Sequence, residues 1–360
     1  MDTYTLWNYR HAAKASMSKE VWDYLEGGAS DEFTLEQNRK VYQRAQIFPR
    51  LLTGAAEAKT GVNILGRDCE APVILGPVSP LNLFHPNAEK AQVEAAQSFG
   101  TIAVISGHAL TPIEETVEWG PGRWFQLYSA VSLDWSINLV QRAASAGSEA
   151  VVVTADAFHS ATRDRNRRNN FKLPCGVGFG NYPGGPDGKD FRRADGSMQL
   201  LPLDWDDLSR LRDATHLPLI LKGVLRKEDA LRAAEVGFDG IIVSNHGGRQ
   251  LDRTATALEA LPPIAKVVRD RLEVFLDGGV MRGTDVLSAI ALGAKAVLLG
   301  RAYVYGLSVA GAFGAADVLS ILKTEFADAL LQAGVESAGD LTESMVQSPN
   351  HFSTEYGDFR

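Results

Sequence analysis

The sequence has 360 residues, with 36 lysines and arginines against 44 aspartates and glutamates, and a formal net charge of −8. This acidic balance, without a basic block, argues against a nucleic-acid partner. The two cysteines are too few for a disulfide framework and have no neighbours at metal-ligand spacing, so we expect no metal site. We find no signal-peptide pattern and no apolar run of bilayer-spanning length, and therefore expect a cytoplasmic protein without a membrane partner.

The first part of the chain, to about Phe48, has the pattern of helices. Apolar residues between Leu6 and Leu25 recur near helical spacing, and the pair Gly27-Gly28 ends the run. We predict that residues 1–65 form a helical extension in front of the main domain.

From Ala71 onwards, short apolar strands alternate with helical runs. The eight predicted strands cover residues 72–76, 102–106, 124–128, 150–156, 218–222, 240–244, 274–277 and 296–300. This alternation predicts an α/β fold, a (β/α)8 TIM barrel over residues 66–320, closed by a helix after Arg301. A doubly wound open sheet is the alternative, although eight uninterrupted parallel strands are unusual for it. With C-terminal helices and a tail at 321–360, the whole chain is expected to form one domain.

The connection after the fourth strand, residues 157–204, is far longer than a barrel loop requires. It contains a basic run around Arg163 and then a Gly/Pro-rich tract at 174–188. Because barrel active sites lie at the carboxyl ends of the strands, we interpret this segment as a lid. A mobile surface insertion is the alternative for its Gly/Pro-rich half.

The most informative stretch follows the sixth strand, where His246 and Arg249 flank the pair Gly247-Gly248. Histidine accepts a proton near neutral pH, and arginine binds a carboxylate through two parallel hydrogen bonds. The glycines allow a ligand to approach the backbone closely. Polar residues also follow the other strands, which is more than a packing core needs. The sequence therefore predicts an enzyme that acts on an anionic small molecule.

The last two strand ends indicate a phosphate site. Asp277-Gly278-Gly279 follows the seventh strand and Gly300-Arg301 follows the eighth. These segments supply backbone N–H groups and a guanidinium, at the place where barrels commonly bind phosphate. A phosphorylated ligand is predicted there.

Four sequence blocks carry a resemblance to a known family. They are Phe125-Gln126-Leu127-Tyr128, Leu221-Lys222-Gly223-Val224, Ser244-Asn245-His246-Gly247-Gly248-Arg249-Gln250 and Leu276-Asp277-Gly278-Gly279-Val280. In order and spacing, the chain resembles the FMN-dependent 2-hydroxy acid oxidases and dehydrogenases, the family of glycolate oxidase, lactate oxidase, mandelate dehydrogenase and the flavin domain of flavocytochrome b2. The resemblance extends from Tyr24 to Arg301.

The resemblance implies FMN lying across the barrel mouth, with a cation at Lys222 beside N1 and C2=O of the flavin. The residues that it implies for cofactor binding are Pro77, Val78, Ser79, Ser106, Gln126, Thr154, Lys222, Ser244, Asp277, Gly278, Gly279, Arg282, Gly300 and Arg301.

The resemblance also implies the reaction, oxidation of an (S)-2-hydroxy acid to the 2-oxo acid. His246 is expected to remove the hydroxyl proton as hydride leaves, or the α-proton in the carbanion version, and the sequence does not choose between them. Asp156 is expected to pair with His246, and Tyr128 to bind the hydroxyl. The expected substrate-binding residues are Tyr24, Arg249, Arg163 and His108.

Several positions depart from the family pattern. Val78-Ser79 replaces the usual Thr-Ala, which places a hydroxyl near the flavin. Met281 replaces a common arginine, which leaves it open whether Arg282 takes over a phosphate contact. His108 stands where an aromatic or aliphatic pocket residue is usual, and Phe158 where a proline is usual. We therefore expect the reaction class but no particular substrate, and expect His108 to favour a polar one.

Two alternatives from other classes are a non-redox enzyme and a binding protein. A non-redox FMN enzyme, similar to type 2 isopentenyl diphosphate isomerase, would need a diphosphate pocket and Mg²⁺ ligands. A flavin-binding protein without turnover would not need the complete set of Tyr24, Asp156, His246 and Arg249. The expected electron acceptor is oxygen or another soluble acceptor, and a homo-oligomer, a tetramer, is expected from the relatives.

Overall fold

A computed structural model describes residues 3–185, Phe191 and residues 200–347. Its centre is a closed barrel of eight parallel strands. They are β1 Val73–Leu75, β2 Ala103–Ser106, β3 Arg123–Leu127, β4 Ala150–Thr154, β5 Leu219–Val224, β6 Gly240–Val243, β7 Glu273–Asp277 and β8 Ala296–Leu299. Closure comes from β8 pairing with β1, with Val297 opposite Val73. The predicted barrel is confirmed, and the open sheet is excluded.

Helices surround the barrel and precede it. In chain order they are α1 Leu6–Ser16, α2 Lys19–Glu26, α3 Phe33–Arg44, α4 Ala88–Phe99, α5 Leu133–Ser145, α6 Asp164–Arg168, α7 Trp205–Asp213, α8 Lys227–Val236, α9 Ala257–Val268, α10 Gly283–Ala291 and α11 Arg301–Gln332. The predicted extension over residues 1–65 is helical as far as Arg44, and α2 ends at Glu26 with Gly27 as its C-cap. Residues 45–65 are not helical and contain the short strands Gln46–Ile47 and Val62–Ile64. Two small antiparallel sheets lie outside the barrel, pairing Gln46–Ile47 with Val346–Gln347 and Val62–Ile64 with Arg67–Cys69.

The inside of the barrel is apolar, and one of its layers takes one side chain from each strand. This layer consists of Ile74, Val104, Trp124, Val152, Ile220, Ile242, Phe275 and Leu298. Because side chains on a strand alternate between two faces, the next inward position is two residues further on. At all eight strands that next position is a glycine or a polar residue, namely Gly76, Ser106, Gln126, Thr154, Lys222, Ser244, Asp277 and Gly300. The strand period thus places a polar layer directly above the apolar one, at the carboxyl ends.

Helix α11 is one long element interrupted by non-helical backbone at Ala310 and Gly311. Contrary to the sequence-based expectation, it is long and apolar enough to cross a membrane, by length and composition only, and half of the relevant window is buried. It packs against α1, α4 and α10, as a core helix of the barrel does. The helix runs through position 320, so the boundary drawn there does not coincide with a break between elements.

The described part of the predicted lid packs against the loop after β2. The N–H of Phe179 donates to the carbonyl of His108 at 3.0 Å, and that of Gly180 to the carbonyl of Ala109 at 2.8 Å. Phe179, Tyr182 and Phe191 form a buried cluster. This packing argues against a loose surface insertion for residues 179–182. Residues 186–190 and 192–199 of the predicted lid lie outside the described residues.

Candidate active site

His246 lies in a tight turn after β6. Its φ is 58°, and Gly247 and Gly248 follow with φ of 62° and 73°. A left-handed conformation is unfavourable for histidine, so the surroundings must hold it. The side chain of Asn245 accepts from the N–H of Gly248 at 3.2 Å. A Cβ at Gly248 would lie 2.6 Å from the backbone nitrogen of Leu35 on α3, so only glycine fits there. The N-terminal extension therefore helps to shape the turn that presents His246.

His246, Asp156 and Tyr128 come together as predicted, from the loops after three strands. Nδ1 of His246 lies 3.0 Å from Oδ1 of Asp156, and Nε2 lies 3.4 Å from the hydroxyl of Tyr128. Asp156 packs over Gly223 in β5, where a Cβ would lie 2.6 Å from that of Asp156. The imidazole thus has one nitrogen on a carboxylate and the other facing the mouth of the barrel.

The electrostatics of this pair suit a base. Burial lowers the pKa of His246 below its ordinary value, while the charge of Asp156 acts in the opposite direction. Burial raises the pKa of Asp156, but Lys222 and His246 outweigh it, so the carboxyl pKa is lowered. Consequently His246 is neutral and Asp156 is ionised near neutral pH, which is the combination that accepts a proton and then stabilises the imidazolium.

Arg249 lies next to Tyr24, with Cζ 5.4 Å from the centre of the phenol ring. Its Nη1 donates to the carbonyls of Tyr24, Leu25 and Gly27 at 2.9, 3.2 and 2.7 Å. Burial, then the charges of Arg163 and Arg301, lower the pKa of Arg249 well below its usual value. Arg163 and Arg249 thus form a cationic group next to Tyr24, in which an anionic ligand would be stabilised.

The polar layer at the barrel top is internally hydrogen-bonded. Ser106 donates to Gln126 at 3.0 Å, and Gln126 donates to Thr154 at 2.9 Å. Lys222 donates to Ser244 at 3.0 Å and lies 3.3 Å from Asp277. Burial lowers the pKa of Lys222, but Asp277 and Asp156 outweigh it and raise the pKa above its usual value. A buried ammonium is thus permanently charged at the centre of the mouth.

At the far end of the mouth lie the segments predicted to hold a phosphate. Gly278 and Gly279 have φ of 101° and 81°, and the space where a Cβ of Gly300 would lie is empty within 4 Å. Arg301 donates to the carbonyls of Leu25 and Gly27 at 2.9 and 3.3 Å. Its backbone begins α11, whose N-terminus favours an anion.

Arg282, a predicted cofactor residue, is engaged elsewhere. Its Nε and Nη2 lie 3.0 and 2.9 Å from the two carboxylate oxygens of Glu325 on α11. Met281, in place of the family's arginine, is buried in the core. These contacts argue against a role for the Arg282 side chain in phosphate binding.

The residues present fit FMN. The polar layer and the Lys222 ammonium match the hydrogen-bonding edge of a flavin ring. One buried oxygen of Asp277, Oδ1, has no hydrogen-bond partner among the described residues. The open space above Gly300, at the start of α11, suits a phosphate.

The wall of the barrel mouth next to Tyr128 contains Ser79 and His108, two residues that differ from the family pattern. The ring of His108 stacks on that of Tyr128 with centroids 4.1 Å apart. The hydroxyl of Ser79 donates to the carbonyl of His108 at 2.7 Å. The backbone carbonyl of Ser79 accepts from the hydroxyl of Tyr24 at 3.2 Å. The Ser79 hydroxyl therefore fastens the His108 loop. Pro77 and Val78 lie between β1 and Ser79, at the same edge of the mouth.

Several residues around the site were not anticipated. Phe84 and Phe171 flank the ring of Tyr24 with centroids 6.4 and 5.0 Å away, and Phe179 and Tyr182 approach His108. Behind the phosphate segments, Arg39 pairs with Asp285 and donates to the carbonyl of Gly279. The sequence of the lid shows which residues are aromatic but not which side chains they contact. Arg39 lies in the helical extension, far in sequence from its partner.

Comparison with known proteins gives a consistent result. A family model described as FMN-dependent dehydrogenase matches residues 13–348. The chain is 38% identical over 352 residues to 2-hydroxyacid oxidase 1 of Mus musculus, covering 94% of this chain and 95% of that one. It is 39% identical over 355 residues to L-lactate oxidase of Nostoc sp., covering 95% and 97%.

Solved structures agree. A crystal structure of mandelate oxidase with benzoyl-formic acid has a TM-score of 0.88 and 37% identity, covering 96% of this chain and 98% of that chain. These matches, over nearly the whole chain, exclude a likeness confined to the barrel. The chain belongs to the FMN-dependent 2-hydroxy acid oxidase family, whose members are oxidoreductases that act on a CH–OH group.

Proposed function

We propose that this enzyme oxidises an (S)-2-hydroxy acid to the corresponding 2-oxo acid, with His246 as the base. The observation that carries the proposal is the surroundings of His246. Its Nδ1 is held by Asp156, its Nε2 faces the hydroxyl of Tyr128, and the cationic Arg249 lies on the same loop. A base, a hydroxyl-binding group and a carboxylate-binding group are what a 2-hydroxy acid requires.

Substrate binding is assigned to the cationic group at the mouth. Arg249 uses Nη1 on backbone carbonyls, and its other N–H groups make no hydrogen bond among the described residues, so they can bind a carboxylate. The phenol of Tyr24 lies beside it, and Arg163 adds positive charge. With the carboxylate fixed there, the 2-hydroxyl of the substrate lies between Tyr128 and His246.

The proton step belongs to His246. Neutral imidazole accepts the proton through Nε2, and Asp156 stabilises the resulting imidazolium through Nδ1. When bound, FMN supplies the acceptor for the two electrons that leave the C2–H bond. Lys222 keeps a positive charge beneath the site, where negative charge accumulates. The order of proton and electron transfer stays open between the hydride and carbanion versions.

Oxygen is proposed as the electron acceptor, by analogy with the relatives named as oxidases, and a soluble acceptor is the alternative. A homotetramer and a cytoplasmic location stay predictions. Nothing among the described residues favours the isomerase alternative, because the site is built around a base, His246, and an arginine suited to a carboxylate, Arg249.

The test is anaerobic addition of 2-hydroxy acids to the purified yellow protein. Loss of the oxidised flavin absorbance with at least one (S)-2-hydroxy acid, and recovery on admission of oxygen, are expected. A panel that includes aliphatic, aromatic and polar acids, with the (R) enantiomers as matched controls, covers the class. Failure of every member to bleach the flavin, while dithionite does so, would refute the proposal.

A further inference from the structure

Two arginines donate hydrogen bonds to the carbonyls of the last turn of α2. Its carbonyls at Leu25 and Gly27 accept from Arg249, at 3.2 and 2.7 Å, and also from Arg301, at 2.9 and 3.3 Å. The free carbonyls at a helix C-terminus attract cations. Arg249 comes from the β6 loop and Arg301 from the start of α11. The position of this turn therefore determines where the Arg249 guanidinium lies.

Glu26 lies between Leu25 and Gly27 in the sequence, and hydrogen bonds to its buried carboxylate stabilise the turn. Oε2 accepts from Nε and Nη2 of Arg10 at 3.1 and 2.6 Å. Oε1 accepts from the hydroxyl of Tyr305 on α11. Arg10 also lies over the ring of Trp22, with Cζ 5.3 Å from its centre. Both oxygens of the carboxylate are thus engaged, one with α1 and one with α11.

Tyr305 and Arg301 lie four residues apart on α11, so they project from the same face of that helix. Arg301 reaches the carbonyls on either side of Glu26, and Tyr305 reaches its side chain. Burial, then Glu26, raise the pKa of Tyr305 well above its usual value, so the phenol stays a donor. Helix α11 thus holds the α2 turn in two ways: Arg301 binds its backbone carbonyls, and Tyr305 binds the side chain of Glu26.

We propose that Glu26 and Tyr305 are positioning residues for Arg249. They hold the α2 turn so that its carbonyls fix Nη1 and leave the rest of the guanidinium directed at the substrate carboxylate. This inference rests on the proposed function of Arg249. Neither residue is expected to touch substrate or FMN.

The consequence is a specific kinetic signature. Carboxylate binding by Arg249 is made equally in the ground state and the transition state, so its loss raises KM and leaves kcat unchanged. A misplaced guanidinium weakens charge-assisted hydrogen bonds, for which a rise of about tenfold is expected.

The chain offers a matched control. Tyr9 on α1 donates its hydroxyl to Asp317 on α11 at 2.6 Å. Like Tyr305 it is a buried tyrosine that joins the N-terminal extension to α11 through a carboxylate. Unlike that of Tyr305, its hydroxyl bonds to Asp317 and Thr3 and, among the described residues, to no group of the α2 turn. A loss of general stability would affect Tyr9→Phe and Tyr305→Phe alike.

The experiment compares the holoenzymes of wild type, Tyr305→Phe, Glu26→Gln and Tyr9→Phe. KM and kcat are measured with the best 2-hydroxy acid, Kd for the 2-oxo acid product by flavin absorbance, and Tm by unfolding. We expect KM and Kd to rise about tenfold in Tyr305→Phe and Glu26→Gln with kcat unchanged, and no such rise in Tyr9→Phe.

Two results would overturn the inference: wild-type KM and Kd in both Tyr305→Phe and Glu26→Gln, or the same rise in Tyr9→Phe. If Tyr305→Phe does not fold, Glu26→Gln against Tyr9→Phe decides, since the amide keeps the shape of the carboxylate. Failure of the proposed function would appear separately, as a wild-type enzyme whose flavin no 2-hydroxy acid bleaches.

Discussion

Nδ1 of His246 lies 3.0 Å from Oδ1 of Asp156, although 90 residues of sequence separate the two. The barrel creates this contact, because Asp156 follows β4 and His246 follows β6 and all eight strands end at one mouth. Only an intervening glycine, Gly223, allows Asp156 to lie so close to β5. The pair accounts for both the orientation and the basicity of the imidazole.

Replacing Asp156 by Asn tests that relationship through pH. In wild type, burial lowers the pKa of His246 below its ordinary value of 6.5, so kcat/KM should rise with pH to a plateau, with the midpoint of the rise below 6.5. Asp156 opposes burial by stabilising the imidazolium. Its removal should therefore shift this acid limb to still lower pH, and lower the plateau by roughly 10²-fold or more. The measurement is kcat/KM against pH for both proteins. An acid limb that moves to higher pH would contradict the assignment.

Arg249→Lys should weaken substrate binding and leave flavin content unchanged. Lysine keeps the charge, but its ammonium cannot donate to the α2 carbonyls and to a carboxylate in the planar arrangement of a guanidinium. A loss of about 1.5–3 kcal/mol is expected, seen chiefly in KM and in the Kd of the 2-oxo acid. Arg253→Lys is a suitable control, since that side chain is exposed and contacts Asp31 at the surface. A KM in Arg249→Lys equal to that of wild type would show that Arg249 does not bind the substrate carboxylate.

His108 should influence the choice of substrate. Its ring stacks on Tyr128, so it lies at the wall where the substrate's side chain is expected. His108→Leu should lower kcat/KM for polar 2-hydroxy acids relative to apolar ones, by a factor that corresponds to about 1–3 kcal/mol for a lost hydrogen bond. The ratio of kcat/KM between a polar and an apolar acid measures this. An unchanged ratio in both His108→Leu and His108→Trp would place His108 outside the specificity pocket.

Arg282→Ala should leave cofactor binding unchanged. Its guanidinium is paired with Glu325, and Met281 supplies no charge. The measurement is the ratio of Kd for riboflavin to Kd for FMN, obtained from fluorescence quenching when apoprotein is titrated with each flavin. We expect this ratio to be the same in Arg282→Ala and in wild type. Stability should fall by no more than about 1 kcal/mol, as for an exposed ion pair. A lower ratio of the two Kd values in Arg282→Ala than in wild type would show that Arg282 does bind the phosphate.

The strands and the polar layer were accessible from sequence because both follow local patterns. Apolar runs such as Gly240–Val243 indicate buried parallel strands, and the period of two places Lys222 or Ser244 above the apolar layer. The motif around His246 and Arg249 was also local, since it is contained in one loop. The common direction of the strand ends places Asp156 at the same mouth, but its pairing with His246 is an implication of the family resemblance.

Contacts between distant elements were not accessible. Nothing in the neighbourhood of Arg282 indicates that Glu325, 43 residues later, takes its guanidinium. The same holds for Glu26 and Tyr305, which are 279 residues apart. Helix α11 is apolar enough by composition to pass for a membrane span, contrary to the expectation from sequence, and its packing against α1, α4 and α10 accounts for part of that composition. Such pairings depend on packing, which no periodicity encodes.

The most direct test of the account is the rate of flavin reduction in a single turnover. Wild type and His246→Gln, both with FMN bound, are mixed anaerobically with the best (S)-2-hydroxy acid and followed by flavin absorbance. The account predicts that the glutamine variant reduces its flavin at least about 10²-fold more slowly, because no base accepts the proton, while its spectrum and Tm stay close to wild type. A reduction rate in His246→Gln near that of wild type would contradict the central role of His246.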